Sequence, residues 1–289
     1  MVEKLILGTV QLGMSYGVNN STGMPSETEA EAILNSCWEK HLHTLDTAEA
    51  YGVSQEILGH YFRKNQDRRF KVISKFSFLP GESSSIQTGL ERTLETLGIS
   101  SVDGYLFHRA QDFFDSQARK TVVGLKNKGA IKQIGVSVYG VDEAEKIVEL
   151  GGADIIQMPF NLLDNWSRRG KAITQAQAAG VSVHVRSVFL QGLFFKPTES
   201  LSAKLKPLAP ALERLRAIAK QAQVEVNEMA LRYALGFSEI DRVLIGVEKE
   251  AQLHKNLSCL KGPLSKETVD AINRIELENP QLLDPRCWS

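Results

Sequence analysis

The chain has 289 residues, of which 43% are hydrophobic and 24% charged, a composition usual for globular proteins whose core needs no disulfide or metal for stability. Lys and Arg together number 34, as do Asp and Glu, so the formal net charge is zero. Because nucleic-acid-binding proteins usually carry a basic excess, this balance argues against a nucleic-acid partner, and it gives no reason to expect attraction to a membrane surface.

Short apolar segments rich in Val and Ile alternate with amphipathic segments along the chain. Continuous apolar runs of this kind are typical of parallel strands buried on both faces. We predict eight strands, at Leu5–Val10, His43–Asp46, Lys71–Phe76, Val102–His108, Ile131–Val136, Asp154–Met158, Val181–Ser187 and Arg242–Gly246.

Segments with helical periodicity lie between these strands. Several begin at a capping residue, as where Ser26 is followed by Glu29, and several end at or just before a glycine. The predicted helices are Ser26–Lys40, Ser54–Lys64, Ser83–Leu97, Asp115–Lys128, Asp142–Leu150, Ser167–Ala179, Leu208–Ala222 and Lys249–Leu260. A longer loop, Leu190–Pro207, follows the seventh strand, and the proline-containing tail Glu278–Ser289 is expected to be irregular.

Eight strands, each followed by a helix, are the number that a closed parallel barrel requires. The alternative is a doubly wound open sheet, which normally carries a GxGxxG motif after its first strand. The sequence at this point is GTVQLG, which does not match. We therefore expect one α/β domain, a (β/α)8 TIM barrel, over residues 1–289.

The three cysteines, Cys37, Cys259 and Cys287, are far apart and show no zinc-binding spacing, so reduced thiols in a cytoplasmic protein are the simplest interpretation. The N-terminal apolar run is too short for a signal peptide, and no run approaches the length of a membrane span. His41 and His43 lack a third ligand at matching spacing, so no metal site is predicted. The sequence does not indicate an oligomeric state.

Ionisable residues stand at the ends of three successive predicted strands. Asp46 ends the second strand, Lys75 lies near the end of the third, and His108 ends the fourth, while Tyr51 follows Asp46 by a short loop. In a parallel barrel the C-terminal ends of all strands open on one face, where active sites lie. We therefore expect these four side chains to converge.

The four residue types are chemically complementary. A phenol releases its proton more readily beside an ammonium group, which stabilises the phenolate, and Lys75 is the candidate for that ammonium. A buried lysine needs a counter-ion to stay charged, and Asp46 is the candidate. His108 would orient a carbonyl oxygen, and Tyr51 would donate the proton. The hydride must come from a cofactor, because no side chain supplies one.

Each residue also has an ordinary structural interpretation. Asp46 could cap a helix, Lys75 could be a surface residue, His108 could be a hydrogen-bonded core histidine, and Tyr51 could pack on the following helix. Their convergence on one predicted face is what favours an active site.

Three segments, LDTAEAYGVSQEILG, VISKF and DGYLFHRA, closely resemble the motifs that carry the catalytic residues of the aldo-keto reductase family. IGVSVY and IIQMPFNLL look like the family's fifth and sixth strand ends. The resemblance extends from Gly8 to Asn256. It implies a (β/α)8 barrel, a nicotinamide cofactor and a small-molecule carbonyl substrate. It also implies a catalytic tetrad of Asp46, Tyr51, Lys75 and His108.

The same resemblance implies the cofactor contacts. Ser137 and Gln157 match positions that grip the nicotinamide carboxamide, although Val138 replaces the family's Asn. Arg186 stands where the family usually has a Tyr that stacks on the nicotinamide ring. The implied cofactor-binding residues are Thr9, Asp46, Ser137, Gln157, Arg186, Ser187, Phe189, Gln191, Gly192, Gly246, Val247, Lys249, Gln252 and Asn256.

The resemblance to the family implies that the nucleotide is NADPH, with NADH as the alternative. Gln252 replaces the family's Arg that pairs with the 2′-phosphate. Lys249, with His254 or Lys255, could partly compensate, whereas Glu248 and Glu250 would oppose a phosphate. Candidate substrate contacts are Tyr16, Arg109 and Asn161, and Arg109 would suit an anionic or polyhydroxy substrate.

Three functions fit these observations. The first is reduction of an aldehyde or ketone, including a sugar-like one, with Tyr51 as proton donor. The second is a cofactor-binding regulatory or scaffold protein with little turnover, which the altered residues Val138 and Arg186 motivate. The third is a hydrolase or aldolase that uses Lys75 as a Schiff-base nucleophile. The complete tetrad favours the first.

Overall fold

The computed structural model describes residues 1–79, 81–82 and 85–288 and contains a closed barrel of eight parallel strands in chain order. The barrel closes where β1 pairs with β8, from Leu5 opposite Val243 to Gly8 opposite Gly246. The strands are β1 Leu5–Gly8, β2 Thr44–Asp46, β3 Lys71–Phe76, β4 Val102–Phe107, β5 Ile131–Ser137, β6 Ile155–Pro159, β7 Ser182–Arg186 and β8 Arg242–Gly246. The predicted (β/α)8 TIM-barrel fold is confirmed.

Helices surround the barrel. They are α1 Val10–Gly13, α2 Glu27–Glu39, α3 Ser54–Lys64, α4 Ser85–Leu97, α5 Ala110–Phe113, α6 Ser116–Asn127, α7 Val141–Leu150, α8 Trp166–Ala178, α9 Ala209–Gln221, α10 Val226–Leu235, α11 Glu250–Ser258 and α12 Lys266–Asn273. The Ser26 side chain caps α2 by accepting a hydrogen bond from the Glu29 amide, as predicted. Ser83, the predicted first residue of the third helix, which is α4 in the structure, lies outside the described residues.

Helix α10, between α9 and β8, is absent from the sequence-based prediction. Most of its residues are buried, including polar ones such as Asn227 and Glu228. A helix that is covered on nearly every side has no polar stripe, so its sequence lacks the periodic signal of an amphipathic helix. The predicted irregular segments also contain short 3-10 helices, Leu190–Phe195 in the long loop and Pro280–Leu283 in the tail.

An apolar layer fills the centre of the barrel. It consists of Ile6, Ile73, Leu106, Ile155 and Leu244, one residue from each of five strands. Side chains two residues further along several of these strands point to the same interior but nearer the C-terminal end, because successive side chains of a strand alternate between its faces. The polar groups at the C-terminal end of the barrel therefore lie directly above this apolar layer.

Within the described ranges, none of the helices is both long and apolar enough to cross a membrane.

Candidate active site

The ammonium group of Lys75 is the centre of a buried polar network at the C-terminal end of the barrel. It forms an ion pair with Asp46 at the end of the adjacent strand β2. It also donates hydrogen bonds to the Thr47 carbonyl oxygen, at 3.2 Å, and to the Tyr51 hydroxyl, at 3.1 Å. All three ammonium hydrogens therefore have an acceptor.

Burial and pairing together determine the charge of this network. Lys75 and Asp46 are each 1% exposed. Burial by itself lowers the pKa of an amine, but the Asp46 carboxylate and the Tyr51 phenol outweigh it and raise the pKa of Lys75 above its ordinary value. Lys75 is accordingly a protonated ammonium group held directly against a phenol.

His108 follows β4 and faces Tyr51. The two rings meet edge to face, with their centroids 5.9 Å apart. Burial, with a smaller contribution from the positive charges of Lys75 and Arg186, lowers the pKa of His108 to about 3. The imidazole is therefore uncharged at neutral pH and can donate one hydrogen bond without carrying a charge.

The loop that carries Tyr51 is held in place by close packing against α1. A β-carbon added at Gly13 would lie 1.9 Å from the Tyr51 carbonyl oxygen and 2.5 Å from the Ser54 nitrogen, so only glycine permits this approach. Beneath the loop, the Ser54 hydroxyl is hydrogen-bonded to the hydroxyls of Thr9, at 2.7 Å, and Thr47, at 3.1 Å. The position of the phenol is thus set by contacts outside the site itself.

A cavity of about 520 Å³ opens above this network. The predicted site residues on its wall are Asp46, Tyr51, Lys75, His108, Ser137, Gln157, Arg186, Ser187, Phe189, Gln191, Gly192, Gly246, Gln252, Asn256 and Tyr16. These residues come from six of the eight strands, from segments that follow strands and, for Gln252 and Asn256, from helix α11. The fold therefore brings together the whole tetrad and most of the predicted ligand contacts.

Gln157, on β6, connects the tetrad to the rest of the cavity. Its side chain is fully buried, and its amide nitrogen donates to the second oxygen of Asp46 at 2.8 Å. The other amide atom, Oε1, has no hydrogen-bond partner within the described part of the chain. A buried acceptor without a partner is unfavourable, so this oxygen is suited to receive a ligand N–H group.

Two predicted ligand contacts lie in the protein interior instead of on the cavity wall. The Thr9 hydroxyl donates to the Asp46 carbonyl oxygen at 3.0 Å. The Asn161 side-chain oxygen accepts from the Leu163 amide at 3.0 Å and from the Asp164 amide at 2.9 Å, which closes a tight turn. Both side chains are fully buried, and both stabilise the backbone near the site.

Three further predicted contacts also lie off the wall. Val247 is buried, and Lys249 is exposed at the start of α11. Arg109 forms two hydrogen bonds to the Asp112 carboxylate, at 2.8 and 3.0 Å, and a third to the Phe78 carbonyl oxygen. Its guanidinium group is thereby neutralised, which differs from the expected role in binding an anionic substrate.

Tyr139 is the most informative wall residue that the sequence analysis did not select. The Arg186 guanidinium lies 4.2 Å from the centroid of its ring, and Arg286, from the C-terminal tail, lies 3.6 Å from the same centroid. Arg286 is held by the Asp284 carboxylate. The tail, expected to be irregular, is thus docked at the mouth of the site. The motif IGVSVY contained Tyr139, but nothing in it indicated these stacking contacts.

Another part of the cavity wall is formed by α10, α11 and the residues just before these helices. Glu225 and Asn227 come from the start of α10, the helix that was not predicted. Gln252 accepts a hydrogen bond from the Glu248 amide at 2.7 Å, and Lys255 lies on the same wall. This part of the wall carries both acidic and basic side chains.

The sequence from residue 4 to residue 277 matches the model of the Aldo/keto reductase family. The chain belongs to this family. The resemblance seen in its motifs is therefore confirmed, and with it the assignment to a family of NAD(P)H-dependent oxidoreductases that act on small carbonyl compounds.

The aldo/keto reductase relatives are distant in sequence. One is the NADH-specific methylglyoxal reductase of Escherichia coli, 22% identical over 94% of this chain and 100% of the relative. Another is the L-glyceraldehyde 3-phosphate reductase of E. coli, 24% identical over 89% of this chain and 85% of the relative. The holo form of an aldo-keto reductase from Bacillus halodurans has the same fold, with a TM-score of 0.75, 22% identity and coverage of 94% of this chain and 91% of that one.

Proposed function

We propose that this protein reduces an aldehyde or ketone to an alcohol, with Tyr51 as the proton donor and His108 orienting the carbonyl group. The observation that carries the proposal is the 3.1 Å hydrogen bond from the buried Lys75 ammonium to the Tyr51 hydroxyl. An ammonium in such a contact stabilises the phenolate that remains once the phenol has transferred its proton. Tyr51 also lines the cavity in which a substrate would lie.

The residues on the cavity wall fit a nicotinamide cofactor. The unpartnered Oε1 of Gln157 would accept a hydrogen bond from the carboxamide, with Ser137 beside it on the next strand. A bound nicotinamide supplies the hydride that no side chain can provide. Ser187, Gln191 and Gly192, after β7, are the proposed contacts for the pyrophosphate, since this part of a barrel commonly binds phosphate.

The roles of the polar residues follow from their charges. As negative charge develops on the carbonyl oxygen, Tyr51 transfers its proton to that oxygen, and Lys75 stabilises the phenolate. Asp46 keeps Lys75 protonated in a buried position. His108 donates a hydrogen bond to the same oxygen as a neutral imidazole, and with a pKa of about 3 it is not the acid of the reaction.

For the nucleotide we propose NADPH, with NADH as the alternative. Lys255, on the cavity wall, offers a positive charge to a 2′-phosphate, whereas Glu248 on the same wall opposes one. One relative is named as NADH-specific and another, from Schizosaccharomyces pombe, is named for NADP(+), so both nucleotides occur among similar proteins. Equilibrium binding of NADPH and NADH to the same preparation decides between them.

For the substrate we propose a small, oxygen-rich carbonyl compound of the sugar-like class. The relatives named for methylglyoxal and L-glyceraldehyde 3-phosphate reduction support this class. The polar wall near Tyr51, which includes Tyr16 and Arg186, is suited to hydroxyl or other polar substituents.

The test is oxidation of NADPH in the presence of a reactive aromatic aldehyde. Replacing Tyr51 by Phe should lower kcat by about 10²–10⁴-fold, the usual contribution of a positioned proton donor. Tyr61→Phe is the matched control, because the Tyr61 hydroxyl bonds to Asn35 outside the cavity. Undiminished activity of Tyr51→Phe would refute the proposed mechanism.

A cofactor-binding regulatory or scaffold role is the second candidate. Val138 and Arg186 depart from the family's usual nicotinamide contacts, and this departure supports it. Slow turnover combined with tight retention of the cofactor and a stable protein partner would favour this function. The intact network around Lys75 favours catalysis, since a scaffold has no need of a buried ammonium beside a phenol.

A further inference from the structure

Arg186, which lines the cavity, differs from Arg109 and Arg286 in how its positive charge is balanced. Within the described residues it forms no ion pair with a carboxylate, whereas Arg109 is bound by Asp112 and Arg286 by Asp284. The charge of Arg186 contributes to lowering the pKa of Asp284, but the Asp284 carboxylate already accepts hydrogen bonds from the Arg286 guanidinium. A half-buried cation without a partner is suited to an anionic ligand.

The guanidinium of Arg186 is held in one orientation by the protein. One terminal nitrogen donates to the Val138 carbonyl oxygen at 3.0 Å, and the other lies 3.4 Å from the Ser187 hydroxyl. The Tyr139 ring covers it at 4.2 Å. A guanidinium has five N–H groups, so several are left for a ligand in the cavity that Arg186 lines.

Arg186 also lies at the reacting end of that cavity. Its charge adds to the effects of burial and of Lys75 in lowering the pKa of His108, and it opposes the effect of burial on the pKa of Tyr16. The cation is therefore close enough to the proposed carbonyl-binding groups to contact a substituent of the same small molecule.

We propose that the substrate carries a carboxylate or phosphate group, which Arg186 binds while Tyr51 and His108 engage the carbonyl oxygen. This inference rests on the proposed function and names its substrate class. Planar guanidinium groups form paired, charge-assisted hydrogen bonds with both anions, so either source of negative charge fits. The contact with an anionic substrate that was expected for Arg109 is assigned to Arg186 instead, because the Arg109 guanidinium is already paired with Asp112.

The test compares aldehydes with and without an anionic group: 4-carboxybenzaldehyde against its methyl ester, and glyceraldehyde 3-phosphate against glyceraldehyde. In the wild-type enzyme, kcat/KM should be higher for the anionic member of each pair. Arg186→Met should reduce this preference by roughly 10–100-fold, the range expected for hydrogen bonds to a charged group. Arg186→Lys should retain part of it, because the charge remains but the paired geometry is lost.

The matched control is Arg214→Met, which removes the same charge from an exposed position on α9. It should leave the preference unchanged. Equal kcat/KM values for the charged and neutral members in the wild type would overturn the proposal, as would a preference that survives in Arg186→Met. The carboxylate and phosphate pairs distinguish the two kinds of anion.

Cofactor binding distinguishes a substrate anion from the phosphates of the nucleotide. The dissociation constants of NADPH and NADH are measured from quenching of protein fluorescence, and because Arg186 is also an expected cofactor contact, any rise in Arg186→Met should be smaller than the loss of substrate preference. A large rise in these constants with an unchanged substrate preference would assign Arg186 to the cofactor and overturn the proposal. Calorimetric binding of terephthalate, weakened in Arg186→Met, reports on the anion site even if Tyr51→Phe shows that the proposed reaction is wrong.

Discussion

The Lys75 ammonium lies 3.1 Å from the Tyr51 hydroxyl although the two residues are 24 positions apart in the chain. Lys75 points into the barrel from β3, and the loop after β2 brings Tyr51 over it. The ammonium also lies 4.8 Å from the centroid of the Tyr51 ring. This contact places a buried charge at the atom whose proton the proposed reaction requires.

The ion pair between Lys75 and Asp46 predicts that the free energy of unfolding depends on both residues. Asp46→Leu leaves the Lys75 ammonium buried without its carboxylate and should lower the free energy of unfolding by about 3–5 kcal/mol. Adding Lys75→Met should recover part of that loss, because two apolar groups then replace the pair. Urea unfolding measures both variants. Additive losses in the double variant would show that the pair contributes no coupling energy.

The packing of Gly13 predicts that a single methyl group disturbs the site. In Gly13→Ala the added carbon would overlap the backbone of the Tyr51 loop, which must move. We expect a loss of about 1–3 kcal/mol in unfolding free energy and a fall in kcat of roughly tenfold or more.

Gly124→Ala is the control for this change. Gly124 lies in α6, and an added carbon there meets nothing within 4 Å. The substitution should stabilise the protein by up to about 1 kcal/mol through helix propensity, with no effect on kcat. Equal effects of the two substitutions would contradict the role given to Gly13.

The burial of His184 predicts that the free energy of unfolding falls in acid. It is 5% exposed in the barrel, its Nδ1 has no partner within the described residues, and burial, with the charges of Arg242 and Lys75, lowers its pKa from 6.5 to about 3. Below pH 6.5 the unfolded chain binds a proton here that the folded chain does not, so stability falls as the pH falls, by up to about 1.4 kcal/mol per pH unit.

The variant His184→Leu should therefore lose about 2 kcal/mol less unfolding free energy than the wild type between pH 7 and pH 5. Urea unfolding at the two pH values measures the difference. Parallel losses in both proteins would show that His184 does not titrate on unfolding.

The neutral state of His108 predicts the pH dependence of catalysis. With a pKa of about 3, the imidazole does not titrate between pH 5 and pH 8, so it should cause no break in kcat/KM for aldehyde reduction in that range. His108→Asn keeps a neutral donor and should stay within about tenfold of wild type, whereas His108→Leu should lose roughly 10²–10³-fold. A break near pH 6.5 that disappears in His108→Asn would reveal a titrating histidine instead.

Much of the fold was predictable from local patterns. The eight strands follow from Val- and Ile-rich runs such as Lys71–Phe76, whose bounds agree with β3. The first strand was predicted to extend to Val10 but ends at Gly8, because Val10 begins α1. Helix α10 was missed since its burial on nearly all sides removes the alternation of polar and apolar residues on which such predictions depend.

The amino-acid sequence by itself predicted the barrel and the family, and it singled out the four residues of the proposed tetrad, because strand periodicity and the motifs around Asp46, Tyr51, Lys75 and His108 are each local properties of the chain. Only the tertiary structure decided which charges are neutralised. Arg109 and Arg186 have the same side chain, yet one meets a carboxylate and the other faces the cavity. The free energy of a charge depends on burial and on partners brought from distant parts of the chain, and neither can be read from its neighbours in sequence.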